Sequence, residues 1–259
     1  MEKTKYKNLL FGFLLPLLII FLWLIISNLE VIRNSLLPKP QDVIYELNKL
    51  IVDETLIPHL LITFKRVILG FIFGGLIATL FGVLTGVSKK LRKLIDPTIQ
   101  ALKAVPSLAW VPLFILWFGI FEVSKITLIG VGVFFPVYLN LMMAIRQIDK
   151  KIIEVATVNK LSNIQTLRWV ILPGIIPEWI TGLRSGLALG WMFVVAAELM
   201  GASEGIGYLM IDGQMTGRPA LIIGALILFA MSGKLSDTII YSLSTPFLKW
   251  KDSLDTMQE

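Results

Sequence analysis

The chain has 259 residues, 56% of them hydrophobic and 16% charged, with a mean hydropathy of +0.79; this excludes a soluble domain and leaves room for several helices of the ~20 apolar residues that a membrane span needs. The net charge of +6 sits in Lys/Arg clusters between apolar runs, the mark of inner loops of membrane proteins and not of a nucleic-acid surface. With no cysteine and a single histidine, His59, there is no disulfide frame, thiolate nucleophile, cysteine metal site or histidine cluster.

Residues 2–8 are basic (Lys3, Lys5, Lys7), and 9–27 then run 19 residues without a charge. A signal peptide has an apolar core of about 7–15 residues and a small-residue cleavage site. This run is longer and Asn28-Leu29-Glu30 is no such site, so a retained first span is expected. Leu36-Leu37-Pro38-Lys39-Pro40 reads as a rigid extended link, because proline disfavours helix at its predecessor. In 41–52, Val43, Ile44, Leu47, Leu50 and Ile51 recur at helical spacing over a polar reverse face, which predicts a short surface helix outside the membrane.

The second span is predicted at about 63–87. Gly70, Gly74, Ala78, Gly82 and Gly86 recur every fourth residue, a ladder that lets another helix approach closely; that helix belongs to the same subunit, to a second subunit, or to a pore-lining seam. Lys89, Lys90, Arg92 and Lys93 mark an inner loop, and Asp96-Pro97 is expected to start a third span at 98–118, kinked by Pro106 and Pro112. Carbonyls freed by proline are tolerated where they face protein or water, so this span is a pathway candidate as well as a plain kinked helix. A short outer turn at 121–125 leads to a fourth span at 126–144. Arg146, Lys150, Lys151, Lys160 and Arg168 bring the chain inside again. A fifth span follows at 179–200, a glycine-rich outer loop at 201–218, a sixth span at 219–242, and Lys249 and Lys251 inside.

The inner loops 88–96 and 145–178 hold nine Lys/Arg, against five in the outer stretches 28–62, 119–125 and 201–218. Both termini are therefore predicted to be cytoplasmic. Lys65 and Arg66 fit poorly near the outer start of the second span; either they snorkel to the headgroups or the span begins later.

No catalytic set is present. There is no GxxxxGK[ST] phosphate loop, so the chain does not hold ATP in the usual way. A proton- or sodium-coupled pump needs acidic residues within its spans, and the embedded charges that stand out are only Arg184 and Glu198. The energy is therefore expected to come from elsewhere. The organising stretch is 154–190. Residues 150–158 can form a short helix, Asn159-Lys160 must turn, and Ser162 with Gln165 matches a capping box. The result is a helix–turn–helix on the inner face, either a docking elbow or an ordinary interfacial loop. A rigid link, 172–177, then leads to span five, where Gly182, Gly186 and Gly190 again recur every fourth residue.

Glu154, Ala156, Val170, Leu172 and Pro173 resemble the EAA-type loop of ABC importer permeases, whose signature is E-A-A, three residues, G, nine residues, I-x-L-P. Val155 departs at the second position, and Lys160 stands where the family has glycine. A left-handed turn there costs other residues about 1–2 kcal/mol, and Asn159 is expected to take that conformation instead. Pro38 with Pro40, Arg66 with Gly70-Phe71, Asp96-Pro97, Leu116-Trp117-Phe118-Gly119, Phe134-Phe135-Pro136, Thr181-Gly182-Leu183-Arg184, Ala197-Glu198 and Gly205-Ile206-Gly207-Tyr208 are similar to the nitrate/sulfonate/taurine branch. The likeness covers most of residues 36–250 and is not specific for substrate.

The resemblance implies an all-α membrane protein of six transmembrane helices with a cytoplasmic coupling helix. Its parts would be an N-terminal helix and external segment (1–60), a permease domain (61–245, coupling loop 145–178) and a cytoplasmic tail (246–259). It implies a plasma-membrane (inner-membrane) transport subunit, not an enzyme. It would work as a pair of permease copies, with an ABC ATPase dimer that binds ATP and magnesium and an extracytoplasmic solute-binding protein. Glu154, Ala156, Asn159, Lys160, Ser162, Gln165, Leu172 and Pro173 would couple to the ATPase. Trp110, Trp117, Trp191 and Phe193 are candidates for the substrate pathway, or for packing and the lipid belt. Arg184 either holds an anion, anchors its helix or pairs with a carboxylate; Glu198 is expected to fix the 201–208 loop. The substrate would be a small organic anion such as a sulfonate, the alternatives being a vitamin precursor or other heterocycle, or a secondary carrier or channel that works without an ATPase.

Overall fold

The computed structural model describes residues 2–29, 36–199 and 201–248, with side chains from Leu14 onward. Among them there are only helices: α1 (Glu2–Asn28), α2 (Pro40–Val52), α3 (Leu56–Val87), α4 (Lys89–Lys103), α5 (Ser107–Phe118), α6 (Glu122–Gln147), α7 (Lys150–Val158), α8 (Asn163–Thr166), a π-helical turn (Leu167–Ile171), α9 (Leu172–Gly174), α10 (Ile176–Leu199), α11 (Ile206–Met215) and α12 (Pro219–Leu248). α3, α6, α10 and α12 are long and apolar enough to cross a membrane, and α4 with α5 makes a fifth crossing if the bent pair is one span. The first span predicted at 9–27 falls on α1; the side chains of Lys3, Lys5 and Lys7 lie outside those described, and Lys249 and Lys251 lie outside the described residues.

The chain divides into two compact units. In the smaller, the described residues up to 61 join 204–228. Pro40 opens α2, where a missing N–H costs nothing, and buries Val43. Gly224 on α12 lets Leu47 of α2 approach to within 3.1 Å of where a Cβ would stand. Trp23 Nε1 donates to the Pro38 carbonyl (3.0 Å). His59 stacks on Tyr208, with ring centroids 5.6 Å apart, and its Nδ1 accepts from the Gly205 N–H.

The larger unit holds the described residues of 62–203 and 229–248. Its axis is α6, whose apolar span is 67% buried against 33% for α3 and 28% for α12. Small residues explain this position. A Cβ on Gly74 would lie 2.1 Å from the Gly130 carbonyl oxygen, and one on Gly86 would lie 2.7 Å from the Ile145 side chain. Both rungs of the α3 ladder therefore press on α6, so the ladder serves packing within the subunit. Gly182, Gly186 and Gly190 do the same from α10, against Asn140, Val137 and Val133. α5 closes on this pair through Val111, Phe114, Leu128, Phe193, Ala196 and Ala197.

The bounds expected around the third span are corrected here. The predicted span 98–118 is two helices bent by 104°. Asp96-Pro97 does not start a helix: Ser88 caps α4, its hydroxyl accepting from the Leu91 N–H (3.3 Å), and Pro97 lies inside. The break comes at Pro106, which is extended (ψ 144°) and forces its predecessor out of helix. The basic cluster at 89–93 is thus the first turn of a helix and not a loop. The turn predicted at 121–125 is likewise helical from Glu122.

Candidate functional site

The elbow begins where α6 ends. Asp149 caps α7, its carboxylate accepting from the Lys151 N–H (2.9 Å). On α7 only Ala156 is buried, while Glu154 and the apolar Ile152, Val155 and Val158 are exposed, Val158 at 81%. The helix stops in a Schellman motif: Lys160 N–H donates to Thr157 O (2.9 Å) and Leu161 N–H to Ala156 O (3.1 Å). Lys160 itself carries the left-handed conformation (φ 57°). Asn159 stays at φ −78° and spends its amide on the Val155 carbonyl (2.8 Å). The expectation for Asn159 is therefore corrected: the residue aligned with the family's glycine holds the glycine conformation, because the hydrogen-bond register of the helix end fixes which residue must turn.

The capping box forms next. Ser162 Oγ accepts from the Gln165 N–H (3.3 Å), and Gln165 Oε1 accepts from the Ser162 N–H (2.8 Å). α8 presents Ile164 outward at 77% exposure. The π turn follows because Pro173 has no N–H to give the Trp169 carbonyl; the Leu172 N–H reaches back to Leu167 O instead. Such single π turns recur at functional positions in helices. Leu172 and Pro173 stay exposed, but Ile175 is buried with Leu141, Ala144 and Ile145 of α6. Both arms of the elbow are thus fixed to the C-terminal end of α6, one by the chain and one by packing.

The pathway candidates are only partly gathered: Trp110 and Phe193 pack in the cluster around Phe114, and Trp117 also lies against the Phe114 ring. Trp117 is 59% exposed on α5. Trp110 is half-buried and tilted on Phe114, and Trp191 lies edge-on to Phe64 and Phe229. Both indole N–H groups are buried and have no hydrogen-bond partner among the described residues. Arg184 is committed to Asp237, Nε to Oδ1 at 2.7 Å and Nη2 to Oδ2 at 2.9 Å, and lies over the Tyr241 ring. Phe193 packs where Gly132 has no Cβ, and it also borders a cavity of about 490 Å³ at the α4–α5 bend. Lys103, Ser107 and Asn140 line that same cavity.

Glu198 belongs to a charge cluster that joins α3, α6 and α10 at the N-terminal end of α6. It is fully buried, accepting from Arg66 Nη1 (2.7 Å) and Thr63 Oγ1 (2.8 Å). Arg66 also grips Glu122 through Nε (2.8 Å) and Nη2 (2.7 Å), and Lys125 Nζ donates to Glu122 (3.2 Å) and to the Ile120 carbonyl (3.1 Å). Arg66 is 3% exposed. The snorkelling expectation for it is corrected: a carboxylate on each of two neighbouring helices holds it inside, and α3 begins earlier than the predicted span. Four ionisable groups in one apolar region are a signal the sequence carried, yet Arg66 and Glu198 stood out separately and not as one cluster.

A family model described as "Binding-protein-dependent transport system inner membrane component" matches residues 70–245. The chain is 41% identical over 244 residues to the putative aliphatic sulfonates transport permease protein SsuC of Bacillus subtilis (strain 168), covering 94% of this chain and 88% of that protein. It is 37% identical over 236 residues to the protein of the same description in Escherichia coli (strain K12), covering 91% and 90%. Among solved structures, a chain of the inward-facing MetNI methionine ABC transporter matches with a TM-score of 0.57 at 20% identity, over 70% of this chain and 92% of that one. That likeness concerns the fold alone.

Proposed function

The chain belongs to the binding-protein-dependent transport inner-membrane family, the permease subunits of ABC importers, in its nitrate/sulfonate/taurine branch, and from that premise we propose that it moves a small organic anion of the aliphatic sulfonate type. It is a multi-pass membrane transport subunit and not an enzyme. Two copies enclose the pathway, with both termini in the cytoplasm. A separate ATPase dimer holds ATP and magnesium and docks on the α7–α8 elbow. A solute-binding protein delivers substrate on the other side.

The observation that supports this reading most is the elbow itself. The apolar Ile152, Val155 and Val158 of α7 and Ile164 of α8 are exposed, as is Glu154, and the elbow's exit is packed onto α6 through Ile175. A partner that closes on ATP would push this surface, and the Leu172–Pro173 segment would carry the displacement into α10. The two conformations would then be biased by the partner's differential binding.

The test is co-purification and transport with Glu154→Lys. An exposed charge reversal on α7 should leave folding intact. ATPase retention should fall, and sulfonate uptake in proteoliposomes should fall with it by about tenfold or more, the loss of ~1.4 kcal/mol of docking. Unchanged retention together with unchanged coupled uptake would count against the elbow as the docking surface.

A further inference from the structure

We propose that the cavity at the α4–α5 bend is a relay site for an oxyanion carrying a short hydrocarbon tail, with Lys103 as its cation. The proposal rests on the import reading above and names residues for it. The cavity, about 490 Å³, falls in the range of ~300–1,000 Å³ typical of small-molecule sites. Its lining is divided by chemistry. One wall brings Lys103 from the last turn of α4, Ser107 from the first turn of α5, and Asn140 from α6. The rest is apolar, with Phe135, Leu139 and Phe193.

Each polar member has capacity to spare. Among the described residues Lys103 makes no ion pair and the Ser107 hydroxyl no hydrogen bond. Asn140 is steadied by one bond to the Pro136 carbonyl (2.8 Å), which leaves its second amide hydrogen. Pro106 gives the start of α5 no side-chain cap, so the bend also offers helix N–H groups that favour an anion. By contrast Arg66 and Arg184 are already engaged by carboxylates. A tetrahedral sulfonate head needs several donors around one positive charge, and an alkyl tail needs a dry wall beside them. The cavity presents both, whereas a neutral heterocycle would gain no charge attraction from Lys103, which is exposed at the mouth.

The absence of native cysteine makes a charge-restoration experiment direct. The full complex of permease, ATPase and binding protein carries Lys103→Cys, is reconstituted in proteoliposomes, and imports labelled ethanesulfonate. Uptake should fall about tenfold or more, the scale of a lost charge-assisted hydrogen bond, while ATPase stimulation by loaded binding protein persists. Reaction with 2-aminoethyl methanethiosulfonate, which restores a cation, should recover uptake; the neutral methyl reagent should not. Wild-type rates in the unmodified Lys103→Cys complex, or equal recovery by the neutral reagent, would overturn the site. If Lys103→Cys fails to assemble, Lys103→Arg and Phe193→Ala serve in its place: the first should retain ethanesulfonate uptake and the second should shift preference toward hexanesulfonate, and the absence of both effects overturns the site. A wild-type complex that imports no sulfonate sinks the substrate reading instead, and is recognised before any variant is made.

Discussion

The two ends of α6 are held by opposite means. At its N-terminal end, Arg66, Glu122, Lys125, Glu198 and Thr63 tie three helices with short, directional bonds. At its C-terminal end, Leu141, Ala144, Ile145 and Ile175 hold the elbow through apolar contact, which is non-directional. Over 26 residues these ends lie about 39 Å apart at 1.5 Å per residue. Directional bonds lose their energy on a small displacement, whereas apolar packing can slide, as in shear motions. The contrast teaches where the subunit can yield: at the elbow, with the charged end as the fixed point.

The sharpest way to break that contrast is Arg66→Met. It takes the guanidinium away from the buried Glu198 carboxylate, and removing one partner of a buried pair costs about 3–5 kcal/mol. Thermal unfolding of the purified chain should show a large loss, and a loss under about 1 kcal/mol would mean that the charged end is no lock. Next is Gly74→Ala beside Gly75→Ala. The first places a methyl group 2.1 Å from a backbone oxygen, while the second meets nothing nearer than 3.7 Å. Overpacking costs typically ~1–3 kcal/mol, so the first should destabilise and the second should be near neutral in the same assay.

Smaller effects sharpen the elbow end. Lys160→Gly should stabilise the end of α7 by about 1 kcal/mol, because glycine takes φ near +57° without the Cβ penalty; slower amide exchange at Leu161 would report it. The least effect is expected from Arg184→Gln. Its ion pair is 38% and 29% exposed on the two side chains, and exposed pairs contribute about 0–1 kcal/mol.

Much of this was legible in the sequence where the signal is local. The α7 helix, the capping box at Ser162 and Gln165, and the surface helix after Pro40 all follow from residues within one or two turns. The glycine ladder announced a close approach but not its partner, since which helix faces Gly74 is decided by tertiary packing. Pro97 misled because a proline inside a helix removes one hydrogen bond that the surrounding turns can tolerate, while Pro106 ends a helix already reduced to i→i+3 bonds at Ala104 and Val105. Asn159 misled because propensity gave way to register. The cavity went unseen because Lys103, Ser107, Asn140 and Phe193 come from four helices with no common spacing.

The central claim is that force from a nucleotide-driven partner enters at α7. Cysteine placed at Val155, which is 61% exposed in a chain with no cysteine of its own, can be cross-linked in the assembled complex. The account predicts capture of the ATPase subunit, with a yield that changes between nucleotide-free and ATP-bound states. Capture of no ATPase at Val155 or at the neighbouring Val158, in a complex that still imports, would contradict it.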